Sequence, residues 1–314
     1  MGTTELPWAL SWIVDEHNRD TGFAMLNAPI DPDVREVFDE VAAGHRMIGS
    51  TSYGQFPLHH EAYGGNGGED PREGWKRPEV LACEAWAHCF RDPDLYLPPG
   101  KPRMLVSTSD FVEVSRVWKV GHCDSPPAKR WDLIYVCLPD WFNAMTKNWD
   151  LAQPCAIRLA KAGARVLLVG CSAMPDVPRH PNIETRPQLR WSDMLQATAQ
   201  SRLALFPNGM DASPRALTEA IALDVPVLVN RQILGGWKYV RPETGRFFDD
   251  EDDVVNAFFD CLTSSFQPRQ WLLDHGYGRD GAARRLAAEL QALVGPSERQ
   301  LNYALPTSQP PDVR

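Results

Sequence analysis

The sequence predicts an α/β protein in which a doubly wound parallel sheet follows a smaller α/β unit. From residue 130 onward, continuous apolar runs alternate with amphipathic segments. That pattern is typical of a parallel sheet covered by helices on both faces. Before residue 130, short periodic segments are separated by Pro and Gly, and the length of 314 residues suggests two domains.

The first domain is expected to span residues 1–128 and to be irregular, ending near the Pro pair at 126–127. Hydrophobic spacing and turn residues predict its main elements, since helices and strands have different periods. In chain order these are a helix at 33–43, a strand at 46–51, a Gly-rich loop at 63–70, a helix at 79–90 and a strand at 103–107.

The second domain is expected to span residues 129–303, with 304–314 as a frayed, Pro-rich tail. Its predicted strands lie at 131–137, 165–170, 182–185, 203–206, 226–230 and 246–248. Its predicted helices lie at 151–162, 191–201, 213–223, 251–264, 269–275 and 281–294.

Composition excludes several classes of function. The 32 Lys and Arg against 41 Asp and Glu give a net charge of −9, which argues against nucleic-acid binding. No apolar run approaches the roughly 18 residues of a transmembrane helix. The start of the chain does not resemble a signal peptide. The seven Cys are odd in number and scattered, so reduced thiols and a cytoplasmic location are expected.

The segment 206–230 contains the most informative chemistry. A predicted strand ends at Phe206, and a polar loop follows that includes Asp211. The next helix is expected to begin with Ser213 as its N-cap and Pro214 at its first position. The unpaired N–H groups and the dipole of such a helix end can hold an anion.

Two charged residues extend this signal. Arg215 supplies a guanidinium suited to phosphate, and Glu219 lies one helical turn later, where a carboxylate can accept two ribose hydroxyls. A phosphate site beside a diol acceptor indicates a nucleotide. The alternative interpretation is a capped helix with an exposed Arg215–Glu219 ion pair.

Residues 130–253 resemble the C-terminal half of a GT-B glycosyltransferase, of the retaining class that includes glycosyltransferase family 4. The resemblance depends on an ordered series of motifs: Asp211-x7-Glu219, Ala220, Asp224-Val225-Pro226-Val227, Gly235-Gly236, Thr244-Gly245 and Phe247-Phe248. It implies a GT-B-like fold, with two Rossmann-like domains facing a cleft and the N-terminal domain on the acceptor side.

The resemblance also implies an activity. A retaining glycosyltransferase moves a sugar from a nucleotide-diphosphate sugar to a hydroxyl acceptor, a glycan or another small molecule, without an obligatory metal or other cofactor. It implies that Glu219 binds the ribose, that Asp211 lies near the donor sugar, and that Arg215 stabilises the leaving diphosphate. Backbone groups of the helix start would hold the diphosphate, at Ser213, Pro214, Ala216 and Leu217.

Further candidates are less specific. Lys147 follows the first strand of the second domain, where the family places a basic residue against the pyrophosphate, although a solvated lysine fits equally well. Arg186 and Leu189 lie where backbone groups would hold the base, and Lys238 is either a phosphate ligand or a surface charge. Asp110 ends a predicted strand and is a candidate partner for the acceptor hydroxyl.

Other classes of function have weaker support. His59, His60 and His88 show no spacing of a closed metal site, so no metal is expected. No G-x-G-x-x-G follows a predicted strand, which disfavours a dinucleotide-dependent oxidoreductase. The family usually has Glu where this chain has the shorter Asp211. A non-catalytic nucleotide- or sugar-binding protein on the same scaffold therefore remains the alternative.

Overall fold

The computed structural model of the protein describes residues 5–58, 70–123, 126–295 and 300–312. The predicted Gly-rich loop and the His59-His60 pair lie largely or wholly outside these ranges. The strands are β1 (Leu10–Val14), β2 (Asp20–Leu26), β3 (Arg46–Ser50), β4 (Cys83–Ala87), β5 (Arg103–Met104), β6 (Trp131–Val136), β7 (Val166–Val169), β8 (Ile183–Arg186), β9 (Ser201–Phe206), β10 (Val227–Asn230), β11 (Gly245–Phe248) and β12 (Leu305–Thr307). The helices are α1 (Arg35–Gly44), α2 (Pro78–Ala82), α3 (Val114–His122), α4 (Trp141–Thr146), α5 (Trp149–Lys161), α6 (Trp191–Ala199), α7 (Arg215–Ala222), α8 (Val254–Thr263), α9 (Pro268–Asp274) and α10 (Arg279–Val294).

The chain divides into two units, and the division differs from the expected one. The first unit combines Met1–Phe111 with Arg279–Arg314, and the second is Val112–Gly278. Helix α3 falls in the second unit because Val114 and Val117 are buried in the same core as residues of α6 and α7. Helix α10 falls in the first unit because its apolar face packs against that unit's sheet.

The first unit is built on a mixed six-stranded sheet of order β12-β1-β2-β3-β4-β5. Strands β2 to β5 run parallel, whereas β1 is antiparallel to both β2 and β12. One face is buried against α10, where Phe23 and Ile48 lie in a single cluster with Leu286 and Leu290.

Two predictions for the first unit are wrong. The helix expected at 79–90 ends at Ala82, and the next five residues form β4. Strand β4 lies inside the sheet, with Ala85 and Ala87 packed towards α10 and Trp86 against Gly49, so four of its five residues are buried. The expected tail contains β12, which pairs Thr307 with Trp12 of β1.

The second unit confirms the predicted doubly wound parallel sheet. Its six strands are all parallel, in the order β8-β7-β6-β9-β10-β11. Helices α6, α7 and α9 bury one face, and α5 and α8 bury the other.

The strand order locates the place where a ligand is expected. From β6 the chain winds outward through β7 and β8, and then returns to continue from β9 in the opposite direction. The loops after β6 and β9 therefore diverge at neighbouring strands, which opens a crevice at their carboxyl ends. The connection after β6 comprises residues 137–148 and includes the short helix α4, and the loop after β9 comprises residues 207–214.

Among the described residues, no helix combines the length and the apolar character needed to span a bilayer. All seven cysteines are free, as predicted, and burial raises the pKa of most of them.

Candidate functional site

The loop after β9 is fastened at its first residue. The Pro207 carbonyl oxygen accepts hydrogen bonds from the Asn148 side-chain amide at 3.1 Å and from the Asn230 amide at 3.2 Å. Asn148 has a left-handed backbone (φ 56°), a conformation that Asn tolerates better than most residues. The loops after β6 and β9 and the end of β10 are thereby held together at the crevice.

Asp211 lies at the centre of this loop, between two donors. Its Oδ2 accepts a hydrogen bond from the Asn208 side-chain amide at 2.8 Å and bonds the ammonium of Lys147. Asn208 is buried, and the Lys147 and Asp211 side chains are 24% and 11% exposed. Lys147 is therefore a half-buried partner of Asp211 rather than a solvated lysine.

The Gly235-Gly236 pair fixes the same loop from its other side. Leu234 N–H donates to the Gly209 carbonyl at 2.8 Å, and Gly235 N–H donates to the Asp211 carbonyl at 2.9 Å. A Cβ at Gly235 would lie 1.8 Å from the Ala212 carbonyl oxygen. Only glycine allows this approach of two backbones.

The start of α7 differs by one residue from the prediction. Pro214 is the N-cap, Arg215 is the first helical residue, and Ser213 lies outside the helix. Leu217 N–H donates to the Pro214 carbonyl at 3.0 Å. Among the described residues, the N–H groups of Arg215 and Ala216 have no hydrogen-bond partner, so this end can accept an anion.

Glu219 lies one turn into α7, half-buried beside the first residue of α6. Its Oε1 accepts a hydrogen bond from the Trp191 indole N–H at 2.8 Å. Burial raises the pKa of Glu219, and the Trp191 hydrogen bond and the charge of Arg215 act in the opposite direction. The two charged side chains form no direct ion pair in the described structure, which argues against the interpretation of Arg215 and Glu219 as a surface pair.

Arg186 and Leu189 are engaged in the fold of the second unit. The Arg186 guanidinium bonds Glu184 at 2.7 Å and lies 4.8 Å from the centre of the Trp131 ring. Its carbonyl oxygen accepts a hydrogen bond from Gly170 N–H at 3.0 Å. Leu189 packs against the core.

Lys238 and Asp110 are buried, although the sequence suggested that both side chains would be accessible to a substrate or to solvent. Lys238 is 2% exposed, with its ammonium over the rings of Tyr239 and Tyr277. Asp110 is 0% exposed, belongs to the first unit, and accepts a hydrogen bond from Ser107 N–H at 3.0 Å. Asp110 is therefore a fully buried carboxylate that bonds the backbone of its own segment, whereas the sequence suggested a side chain exposed at a strand end.

Sequence reasoning missed three residues of the site: Asn148, Asn230 and Trp191. Their contacts join positions far apart in the chain, and only the proximity of Asn148 to Lys147 offered a signal. Within the described ranges, no group of three or more His, Cys, Asp and Glu side chains could hold a metal ion.

No protein-family model matches the sequence, and no curated protein is similar to it in sequence. Solved structures do resemble it. The sucrose-phosphate synthase of Thermosynechococcus elongatus is 12% identical, with a TM-score of 0.56 over 80% of this chain and 68% of that one. The trehalose-phosphate synthase (UDP-forming) of Burkholderia xenovorans, in complex with glucose-6-phosphate, is 11% identical, with a TM-score of 0.57 over 86% and 72%.

A third resemblance is to the pneumococcal O-GlcNAc transferase GtfA, solved in complex with UDP and GlcNAc. It is 10% identical, with a TM-score of 0.58 over 87% of this chain and 57% of the transferase. All three neighbours are GT-B glycosyltransferases. At these identities the similarity shows the fold alone, and this chain has the GT-B fold predicted from its motifs.

Proposed function

We propose that this protein is a retaining glycosyltransferase that moves a sugar from a nucleotide-diphosphate sugar to a hydroxyl acceptor. One observation carries the proposal. Around the crevice of the second sheet, the Lys147–Asp211 pair lies on the loops after β6 and β9, and the open N-terminus and the Glu219 carboxylate belong to α7, which follows the second of these loops. Substrates of doubly wound sheets bind at this kind of position.

The diphosphate would bind at the start of α7. The free N–H groups of Arg215 and Ala216 and the helix dipole, equivalent to about +0.5 charge, favour an anion there. The exposed Arg215 guanidinium adds a fork that matches phosphate oxygens. These positive groups make the start of α7 favourable for an anion although the net charge of the chain is −9.

The ribose would bind at Glu219. This carboxylate is half-buried, and its Oε2 accepts no hydrogen bond from any described residue. A ribose hydroxyl donating to a charged oxygen contributes about 1.5–3 kcal/mol. Glu219 is four residues from Arg215, so one face of α7 presents both groups.

Lys147 would reduce the repulsion between Asp211 and an anionic donor. Its ammonium already bonds Asp211, and the half-exposed position leaves it able to contact a diphosphate as well. In the transfer, the bond between the anomeric carbon and the diphosphate oxygen breaks, the acceptor oxygen bonds that carbon on the same face, and the acceptor proton passes to the leaving diphosphate. Negative charge grows on the leaving diphosphate, where Arg215, Lys147 and the helix end stabilise it.

The similar structures suggest which substrates to test first. Two of them are described with UDP or as UDP-forming, and one with glucose-6-phosphate. We therefore propose a uridine-based donor as the first candidate, a glycan or small hydroxyl compound as acceptor, and no obligatory metal. The free thiols are consistent with a cytoplasmic site of action.

The test begins with thermal unfolding of the purified protein in a panel of UDP-, GDP- and ADP-sugars. A ligand of the native state raises the melting temperature, and we expect one nucleotide class to do so. Incubation with that donor and simple sugars should then yield a glycoside with the donor's anomeric configuration, measured by NMR. No stabilisation by any nucleotide would contradict the proposal. Stabilisation without hydrolysis or transfer would favour the non-catalytic binding protein.

A further inference from the structure

Trp191 is placed to control the carboxylate of Glu219. It is the first residue of α6, and its indole N–H lies 2.8 Å from Glu219 Oε1. Trp191 is 39% exposed, and the guanidinium carbon of Arg116, from α3, lies 5.0 Å from the ring centre. Three helices of the second unit therefore meet at this side chain.

The hydrogen bond from Trp191 to Glu219 is not needed merely to give the indole N–H a partner. An indole N–H on a ring this exposed could equally bond water, so folding does not require the bond to Glu219. A glutamate side chain has several rotatable bonds, and a fixed donor on one oxygen selects a single orientation of the carboxylate. Trp191 holds Oε1 of Glu219, whereas Oε2 accepts no hydrogen bond from the described residues and can accept one from a ligand.

We propose that Trp191 is a positioning residue for ribose recognition: its indole N–H holds Glu219 in the orientation that accepts the ribose hydroxyls. This inference depends on the proposed nucleotide site and adds a residue that determines how well the site distinguishes ribose from deoxyribose. Arg116 holds the ring in place by a cation–π contact. Burial raises the pKa of Glu219, and the donated hydrogen bond partly offsets this rise.

The experiment compares a ribonucleotide with its deoxy counterpart by titration calorimetry. The probes are UDP and 2′-deoxy-UDP, or the corresponding GDP or ADP pair if that base binds more tightly. The proteins are the wild type, Trp191→Phe, Glu219→Gln and, as a control for loss of an indole, Trp8→Phe in the first unit. Thermal melts establish that each variant is folded.

The ratio of the two dissociation constants is the informative quantity. We expect the wild type and Trp8→Phe to prefer the ribonucleotide about tenfold or more, and Glu219→Gln to lose this preference. Trp191→Phe should reduce the preference severalfold while leaving the affinity for the deoxynucleotide nearly unchanged. A double variant should show no further loss beyond Glu219→Gln, because the two residues act as one unit.

Three outcomes would overturn parts of the account, and they are distinguishable. If Trp191→Phe keeps the wild-type ratio while Glu219→Gln loses it, Trp191 does not position the carboxylate. If Trp191→Phe weakens both nucleotides equally, the ring contributes a contact or general stability, which also contradicts the positioning role. If the wild type shows no preference, or binds neither nucleotide, the proposed ribose site itself is wrong.

Discussion

The ammonium of Lys147 bonds the carboxylate of Asp211, and this pair connects the loops that follow β6 and β9. These two strands are neighbours from which the chain winds in opposite directions. The pair therefore spans the topological switch point of the second sheet, where α/β proteins bind their ligands. A cation and a carboxylate that are 64 positions apart in the sequence become one local feature of the crevice.

Replacing Lys147 with Met should impair turnover more than stability. The change leaves Asp211 with Asn208 as its side-chain donor among the described residues, and it removes a positive charge from the neighbourhood of the leaving diphosphate. Loss of such an electrostatic group typically lowers kcat by about 10²–10³. Steady-state kinetics with the identified donor measures the effect.

Lys161→Met is the matched control, because Lys161 is an exposed lysine at the end of α5. Its kinetics should equal those of the wild type. Equal activity of Lys147→Met and Lys161→Met would remove Lys147 from the mechanism and leave the ion pair with a structural role.

Gly235→Ala should destabilise the loop that contains Asp211. The added Cβ would meet the Ala212 carbonyl oxygen at 1.8 Å, so two backbone segments must separate. Overpacking of this kind costs about 1–3 kcal/mol. Chemical denaturation measures the loss in the free energy of unfolding.

Gly209→Ala provides the comparison within the same loop, since a Cβ there has no described atom within 4 Å. We expect its free energy of unfolding to stay close to that of the wild type. Similar stability of the two variants would show that the close approach of the loops is not maintained in solution.

Nucleotide affinity should fall as the solution is acidified, and the decline should begin above the usual Glu pKa of 4.5. Burial raises the pKa of Glu219, so in the free protein this carboxyl protonates at a higher pH than an ordinary glutamate. A protonated carboxyl is a poorer acceptor for ribose hydroxyls, and binding therefore favours the carboxylate. Titration calorimetry with UDP across this range measures the effect.

The Glu219→Gln variant distinguishes protonation of Glu219 from protonation of the diphosphate, because its side chain does not titrate. It should bind weakly at all pH values and retain only the pH dependence of the ligand. The raised pKa of Glu219 has the opposite effect on folding: acidification weakens nucleotide binding but increases the contribution of this carboxyl to stability. Its stabilising contribution is present below pH 4.5 and is lost as the pH rises through the folded-state pKa. If both proteins showed the same pH dependence of UDP binding, Glu219 would not be the titrating acceptor.

Local patterns in the sequence predicted most of the second unit. Its buried strands are continuous apolar runs, so β6 and β10 lie where hydrophobicity placed them, and Asp211, Arg215 and Glu219 were identified from one contiguous segment. The helix starts one residue later than predicted because Pro214, with a ψ of 85°, lies outside the helical range and serves as the N-cap.

Contacts between distant segments were not predictable in this way. The helical pattern of residues 79–90 gave way to β4 because the segment pairs between β3 and β5, where four of its five strand residues are buried. Lys238 was expected to face phosphate or solvent, but two tyrosines enclose it, one of them nearly forty residues later in the chain. The bond from Trp191 to Glu219 likewise depends on two helices lying side by side.

The most direct test of the account is the dissociation constant of the nucleoside diphosphate, measured by calorimetry for the wild type and for Glu219→Ala. The nucleotide is whichever of UDP, GDP and ADP binds most tightly, and Glu289→Ala, at an exposed position of α10, is the control. At about 1.4 kcal/mol per tenfold change, loss of a charged hydrogen bond predicts a rise of one to two decades for Glu219→Ala and none for the control. An unchanged dissociation constant in a folded Glu219→Ala protein would contradict the nucleotide site proposed at α7.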